Sequence, residues 1–349
     1  MLLWIEGDPS DWPSFAGSET NRRAISNLLH AGREGRHAVF GSRDLLIAME
    51  RSAVFSDLDS AYLAFAAGRL TQDGMWMADA PKVRVAIDSE IVEQQADGWR
   101  VPLDFFLNAD RLDVPALLCE NIRDAMFYRQ HAVWAVDSGL HGYRVKLELL
   151  HGGGDQTAEM FTHYLTDTSR AIVCVADSDR SEPAANLGLV ASRCQAATRA
   201  AVGSEFRVAL HVLDARSLEN LISDSLWEIL LVGMEEQHRL SWDLIRGLPE
   251  ELRRFINLRS GDTLCRFPTE DLDVRSRAGM EGVRCPQCGR QPACIEIAPF
   301  GKRTLARRAV ASMDGVDERG RVPANWPRAL RQVANDLANV GLALPPMRV

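Results

Sequence analysis

The sequence predicts an α/β protein built on a parallel β-sheet that is flanked by helices. Between residues 113 and 225, short apolar runs alternate with segments of helical periodicity. Such alternation is typical of strand–helix–strand units, which join parallel strands by right-handed crossovers. The run Ala171–Ala176 shows the pattern most clearly, because it is wholly apolar and stops at two carboxylates. A short run of this kind indicates a strand buried on both faces.

Four strands and three helices are predicted within this region, which we take as one domain. The predicted strands are Val114–Cys119, Tyr143–Leu150, Ala171–Ala176 and Phe206–Leu213. The predicted helices cover the segment after Asn121, then Ala158–Leu165 and Pro183–Val202. Residues 226–274 are expected to form a helical extension of this domain.

Residues 1–112 predict a separate mixed α/β module to which the sequence assigns no chemistry. Ser18 is a suitable N-cap for the first helix, whose apolar residues recur at helical spacing. The predicted elements are the helices Glu19–Gly32, Arg43–Val54 and Leu58–Leu70 and the strands Lys82–Asp88 and Trp99–Leu107.

Residues 275–349 predict a small basic module that contains cysteines. This segment carries 13 Arg or Lys against 6 Asp or Glu, a net charge of +7, whereas the rest of the chain carries −15. Lys302, Arg303, Arg307 and Arg308 form either a basic face that contacts nucleic acid or an ordinary solvated surface. An amphipathic helix, Trp326–Val340, is expected to pack on the body of the protein.

The composition predicts a cytoplasmic protein that does not enter a membrane. No apolar run approaches the ~20 residues of a membrane span. The first residues, MLLWIEGDPSDW, contain no basic residue before the apolar ones, so they do not resemble a signal peptide. Seven cysteines are an odd number, which argues against a framework of disulfides.

Acidic residues follow three of the four predicted strands. Glu120 and Asp124 follow the first, Asp177 and Asp179 the third, and Glu219, with Asn220 beside it, the fourth. Because ligands bind at the carboxyl edge of open α/β sheets, these side chains are expected to converge there. Hard oxygen ligands favour Mg²⁺ or Mn²⁺. Each motif alone also has a structural explanation, such as a polar turn after a strand or an acid in a first helical turn.

A glycine-rich loop, Gly152–Gly154, follows the second predicted strand. Glycines there allow backbone N–H groups to approach a phosphate at the start of the next helix. A tight turn that only joins a strand to a helix has the same composition. The sequence leaves both interpretations open.

The ordered set of motifs resembles the TOPRIM domain of topoisomerases, bacterial primases and overcoming-lysogenization-defect nucleases, over residues 113–262. Glu120 and Asp124 match the acids after the first strand of the nuclease branch, and Asp177 and Asp179 match its Asp-x-Asp. Stand-alone TOPRIM proteins of phage-defence loci share three further features, which correspond here to the glycine loop, to Glu219–Asn220 and to Arg259 in NLRSGD. Two positions depart from the family pattern: Asn121 stands where Gly is usual, and Arg259 where Lys is usual.

The resemblance implies a metal-dependent nuclease that cleaves DNA or RNA as an effector of a bacterial phage-defence system. It also implies control by an ATPase partner, with oligomerisation possible. Glu120, Asp177 and Asp179 would bind the main Mg²⁺ or Mn²⁺ ion. Asp124 and Glu219 would bind a second ion or waters of the first, and Arg259 would stabilise charge on the phosphate. The alternative is a catalytically inactive TOPRIM-like adaptor that binds nucleic acid or protein.

The cysteines fall into two groups. A CxxC at Cys285 and Cys288, with Cys294 and Cys265 as further ligands, predicts a structural zinc site; metal-free thiols or a redox CxxC are the alternatives. Cys119, Cys174 and Cys194 lie in predicted strands and a helix and are expected to be small core residues.

Overall fold

The computed structural model describes residues 1–87, 89–137, 139–140, 142–201, 206–263, 296–301, 304–313 and 326–347. It is an α/β structure with two sheets of mainly parallel strands, one on each side of residue 113. In this part of the chain, none of the helices combines the length and apolar character that a membrane span requires.

The first sheet is formed by the N-terminal module. In chain order its elements are β1 (Leu2–Glu6), α1 (Trp12–Phe15), α2 (Glu19–Arg33), β2 (Ala38–Gly41), α3 (Arg43–Arg51), α4 (Asp57–Asp79), β3 (Lys82–Ala86), β4 (Glu93–Gln95) and β5 (Gly98–Pro102). The strands lie in the order β2–β1–β3–β5–β4, and β4 runs antiparallel to β5. The mixed α/β prediction is therefore confirmed.

The two largest differences from the predicted boundaries in this module lie at the end of a strand and the end of a helix. The strand predicted as Trp99–Leu107 ends at Pro102, where the chain turns into 3₁₀ helices at Leu103–Leu107 and Ala109–Leu112. Helix α4 continues nine residues beyond Leu70, since no Pro or helix-ending cap interrupts it there. Ser18 caps α2 as predicted, because its hydroxyl accepts a hydrogen bond from Asn21 N at 3.4 Å.

The second sheet carries the acidic motifs. In chain order its elements are β6 (Ala116–Cys119), α5 (Ile122–Asp137), β7 (Arg144–Val145), β8 (Glu148–His151), α6 (Thr157–Asp167), β9 (Ile172–Ala176), α7 (Leu189–Ala200) and β10 (Val208–Val212). The sheet order is β10–β9–β6–β8, with every neighbouring pair parallel. The predicted parallel sheet and its crossover helices are confirmed, so the carboxyl ends of β6, β9 and β10 face the same edge.

The remaining elements follow the second sheet. They are the 3₁₀ helix Leu218–Leu221, α8 (Asp224–Leu230), α9 (Glu236–Arg246), α10 (Glu250–Arg253), β11 (Asp262–Thr263), β12 (Glu296–Ile297), α11 (Thr304–Met313), α12 (Arg328–Gly341) and β13 (Leu342–Ala343). Helix α12 packs against α5, where the Trp326 ring lies 4.7 Å from that of His131. The zinc prediction at Cys265, Cys285, Cys288 and Cys294 lies outside the described residues, as do Lys302 and Arg303.

Two elements of the second sheet correct the sequence prediction. The predicted strand Tyr143–Leu150 is two strands, because β7 leaves the sheet to pair with β13, and Lys146 N donates to Gly341 O at 2.7 Å. The predicted helix Pro183–Val202 begins only at Leu189. The preceding Gly188 donates its N–H to Ser178 O, and a Cβ there would lie 2.7 Å from Asp179.

Both faces of the second sheet are covered by helices. Helix α5 covers one face, and α6 and α7 cover the other. On the second face, Leu118 and Cys174 pack with Phe161 and Cys194 in one apolar cluster. Cys119, Cys174 and Cys194 are free and buried, which confirms that they are core residues.

Truncation of this core should lower stability. Leu118 is fully buried, so we expect Leu118→Ala to lower the free energy of unfolding by about 2–5 kcal/mol, through lost burial and the cavity left behind. Chemical denaturation measures the change. Leu240→Ala is the matched control because Leu240 is 58% exposed; equal losses in the two variants would contradict the assignment of Leu118 to the core.

Candidate functional site

The carboxyl edge of the second sheet gathers the six residues singled out from the sequence. Glu120 follows β6, Asp177 and Asp179 follow β9, and Glu219 lies in the 3₁₀ helix after β10. Asp124 is in the first turn of α5. The sixth residue, Arg259, reaches this edge from the segment between α10 and β11, where it contacts two of the carboxylates.

Asp177 is the most constrained carboxylate of this acidic cluster. Its side chain is 7% exposed. One oxygen, Oδ1, accepts a hydrogen bond from Leu218 N at 3.1 Å, and the other, Oδ2, accepts one from Arg259 Nη2 at 2.6 Å. Asp177 therefore connects the end of β9 to the segment after β10 and to Arg259.

Arg259 bridges two carboxylates at once. Its Nη2 contacts Asp177, and its Nε donates to Glu219 Oε2 at 2.9 Å. The Glu219 side chain is 3% exposed and that of Arg259 is 29% exposed. A guanidinium suits this position because its planar set of donors can bind two acceptors at fixed angles.

The Asp177–Asp179 motif does not continue the strand. Strand β9 ends at Ala176, and Asp179 adopts a left-handed backbone with φ of 54°. This conformation is held by hydrogen bonds from Asp179 N to Arg216 O at 2.9 Å and from Ser178 Oγ to Ala215 O at 2.6 Å. Strand alternation would place residues 177 and 179 on the same side of the sheet, but the chain has already left the strand at this point. A tight turn brings Asp179 close enough to Glu120 to raise the pKa of Glu120.

Asn220 holds in place the segment that carries Arg259. Its Nδ2 donates to Arg253 O and Ile256 O, both at 3.0 Å. Its Oδ1 accepts hydrogen bonds from the N–H and the hydroxyl of Ser217. Asn220 is thus a positioning residue that fixes the chain shortly before Arg259.

The glycine loop supports the end of β6. Gly152 N donates to Cys119 O at 2.7 Å, and Gly154 N donates to Glu120 O at 3.1 Å. Gly153 N donates to His151 Nδ1 at 3.4 Å, and Gly153 has a positive φ of 75°. All three amides are occupied within the protein, so the geometry favours a turn that positions Glu120 over a phosphate cradle.

Burial and mutual repulsion raise the pKa values of the clustered acids. The pKa of Glu120 is raised to about 8, first by burial and then by Asp177 and Asp179. Burial, followed by the charges of Asp177 and Glu219, raises the pKa of Asp124 to about 8. For Asp177, burial raises the pKa to about 6 although Arg259 opposes the shift. Such values near neutral pH are typical of functional carboxylates.

One neighbour of the cluster was missed by the sequence reasoning. Tyr128 is fully buried, its hydroxyl has no hydrogen-bond partner in the described part of the chain, and Asp177 and Asp124 help to raise its pKa. It lies four residues after Asp124 on α5, so the i, i+4 spacing was the available signal.

The residues of the cluster fit a divalent cation by their chemistry. Glu120 Oε1 is buried without a hydrogen-bond partner among the described residues, which is costly unless something else satisfies that atom. Hard carboxylate oxygens are the ligands that Mg²⁺ prefers. As the side chains stand, however, no three His, Cys, Asp or Glu residues in the described ranges are arranged to hold a metal, while Arg259 bonds to two of the carboxylates.

Comparison with known proteins gave no match, whether against family models, curated proteins or solved structures. The site is therefore interpreted from its own geometry.

The raised pKa values predict that the metal-free protein loses stability as pH rises from about 4.5 to about 8. In this window the folded state binds more protons than the unfolded state, whose carboxyls have ordinary values of 4.5 for Glu and 3.8 for Asp, so the free energy of unfolding falls. Melting temperatures in EDTA across this range measure the effect.

The double variant Glu120→Gln, Asp124→Asn removes these two titratable groups. Its melting temperature should therefore change less with pH than that of the wild type. The difference between the two curves isolates the contribution of Glu120 and Asp124 from that of every other titratable group. Identical curves would contradict the assigned shifts.

Proposed function

We propose that this protein is a metal-dependent nuclease of the TOPRIM type, which hydrolyses phosphodiester bonds of DNA or RNA. The observation that carries the proposal is the convergence of five carboxyl groups and one arginine at the carboxyl edge of a single parallel sheet. The order of the motifs along the chain, which resembles TOPRIM nucleases, supports the same reaction class.

Glu120, Asp177 and Asp179 are the proposed ligands of the main Mg²⁺ or Mn²⁺ ion, and Asp124 and Glu219 would hold a second ion or its waters. A divalent cation bound there supplies Lewis acidity toward water and the scissile phosphate. The unpartnered Glu120 Oε1 supports its assignment as a ligand, because a cation would satisfy that buried oxygen.

Arg259 is proposed to stabilise negative charge in the reaction, and Asp124 is proposed to transfer protons. The guanidinium of Arg259 stays charged at any working pH, so it can stabilise negative charge that grows on the phosphate. Asp124, in its role of holding waters of an ion, can accept a proton from such a water or pass one to the leaving oxygen.

A second candidate function is a metal-free adaptor. The observation that favours it is the pair of Arg259 hydrogen bonds, which already give Asp177 and Glu219 a shared counter-charge without any metal. An adaptor of this kind would bind nucleic acid or protein and would not depend on divalent cations. In either case, control by an ATPase partner rests on the resemblance alone.

Asp177→Ala and Glu120→Ala should each lower metal-dependent cleavage by about 10²-fold or more, the effect typical of losing one preorganised charged group. Cleavage of plasmid DNA and total RNA with Mg²⁺, Mn²⁺ or EDTA measures it, provided that circular dichroism shows folded variants. Glu34→Ala is the control, because Glu34 is exposed in the N-terminal module. Cleavage that persists in EDTA, or in both site variants, would refute the proposed nuclease site.

Arg259→Ala should make the metal-free protein less stable. It should also increase the stabilisation that Mn²⁺ produces. Loss of the guanidinium leaves two buried carboxylates without a counter-charge, at a cost of about 2 kcal/mol after allowance for partial exposure. It also frees both groups to bind a cation. Thermal unfolding with and without Mn²⁺, and calorimetric titration, provide the readouts.

Arg246→Ala is the matched control, since Arg246 forms an exposed ion pair with Asp243 at 3.2 Å, away from the acidic cluster. We expect Mn²⁺ to raise the melting temperature of the Arg259 variant more than that of the wild type. An equal or smaller increase would disprove the idea that Arg259 and the metal compete for the same carboxylates.

A further inference from the structure

A polar cavity of about 420 Å³ lies beside the acidic cluster. Glu219 and Asn220 line it, so the cavity shares a wall with the proposed catalytic site. Its other walls come from α8, α9, α10 and the start of α12. None of the residues assigned to metal binding other than Glu219 lines this cavity.

Four arginines line the cavity. Two of them form ion pairs with carboxylates of the described residues, and the other two do not. Arg253 pairs with Asp224 at 3.4 Å, and Arg254 pairs with Asp214. Arg328 and Arg331, both exposed, have no carboxylate partner in the part of the chain that the structure describes. Arg331 Nη2 donates to Trp326 O at 3.3 Å, which leaves further guanidinium donors for a ligand.

Aromatic side chains form the inner wall. The rings of Trp227 and Trp242 stack at 4.3 Å, and Trp326 lies beside them along the cavity. The indole Nε1 of Trp242 is buried and has no hydrogen-bond partner among the described residues. Because an apolar wall excludes water, it strengthens the attraction between nearby guanidinium groups and an anion.

The cavity continues outward as a groove. Arg254 and Arg328 also line an adjoining depression with Asp214, Glu250 and Glu251, and Arg328 and Arg331 line another along α12. Six acidic residues and four arginines line the cavity and the two depressions taken together. Four of the acids already contact a basic side chain, namely Arg253, Arg254, Arg259 or His211, so Arg328 and Arg331 are the guanidinium groups that an anion can reach. A row of adjoining depressions fits an elongated polyanion better than a small compact ligand.

We propose that this arginine groove binds backbone phosphates of the nucleic-acid strand whose scissile bond lies at the acidic cluster. The inference rests on the proposed nuclease function, which requires a path by which a strand reaches the carboxyl edge of the sheet. Arg328 and Arg331 contact the phosphates, and Arg253 and Arg254 are held by their carboxylate partners at the inner end. The planar donor groups of a guanidinium match the oxygens of a phosphate, and contacts to phosphates do not discriminate between bases.

The double variant Arg328→Ala, Arg331→Ala tests the groove by binding rather than by cleavage. Fluorescence anisotropy of labelled single-stranded DNA, duplex DNA and RNA is measured in EDTA, across a series of salt concentrations. We expect about tenfold weaker binding at low salt. The slope of log binding constant against log salt concentration should also become smaller in magnitude, by about 0.7 for single strands or about 0.9 for duplexes per lost phosphate contact. Both residues are exposed at the start of a helix, so alanine leaves the fold intact.

Arg43→Ala, Arg51→Ala is the matched control, because both arginines are exposed on α3 of the N-terminal module. Unchanged affinity and salt slope in the groove variant, or equal losses in the control, would overturn the proposal. Competition with inorganic phosphate and with a mononucleotide is measured in parallel. Binding of the mononucleotide through Arg328 and Arg331, with oligonucleotide binding unaffected, would also overturn it.

The binding measurements, combined with the cleavage assay described above, separate the groove from the proposed catalytic site. Arginine-dependent binding without cleavage under any metal condition supports the groove and refutes the nuclease. Metal-dependent cleavage with arginine-independent binding supports the nuclease and refutes the groove.

Discussion

The site depends on the balance between several buried carboxyl groups and a single guanidinium. Coulomb repulsion between charges a few ångströms apart grows as water is excluded, and burial, followed by this repulsion, raises the pKa values of Glu120 and Asp124. Arg259 relieves it where burial is deepest, at Asp177 and Glu219. The protein therefore meets a concentration of negative charge in two ways, by an internal cation and by carboxyls that retain protons near neutral pH. Both adjustments are reversible, so the proposed binding of a cation could replace either of them.

Backbone hydrogen bonds fix this arrangement more than the carboxylates themselves do. Leu218 N binds Asp177, Arg216 N binds Arg254 O, and Asn220 binds the chain shortly before Arg259. These contacts tie segments from the ends of neighbouring strands to a loop some forty residues later. A site built this way is preorganised, because moving Arg259 would require breaking main-chain contacts as well as ion pairs. Neutral residues such as Asn220 are thus as important to the geometry as the charged ones.

The sequence sufficed to locate the acidic cluster, because parallel strands deliver their carboxyl ends to one edge whatever the details of their turns. It did not predict the left-handed Asp179, whose conformation depends on Arg216 and Ala215 in a distant segment. Nor did it predict that Tyr143–Leu150 is divided, since the partner strand of its first half lies almost two hundred residues further on. Nor could the arginine groove be predicted, because its lining residues come from α10 and α12, which are distant in sequence. What could be predicted follows from local periodicity and topology, and what could not depends on long-range contacts.

The packing of α12 on α5 has a consequence for synthesis of the protein. Trp134 of α5 is covered by Trp326, and the two rings are separated by 6.3 Å. About 190 residues lie between these helices, which at typical rates of translation take roughly 10 to 40 s to make. During that interval the part of α5 that packs against α12 has no native cover, although the strands of the second sheet are already present. The nascent chain therefore exposes apolar surface of α5 after the second sheet has emerged and before α12 has, and such transiently exposed surface favours aggregation.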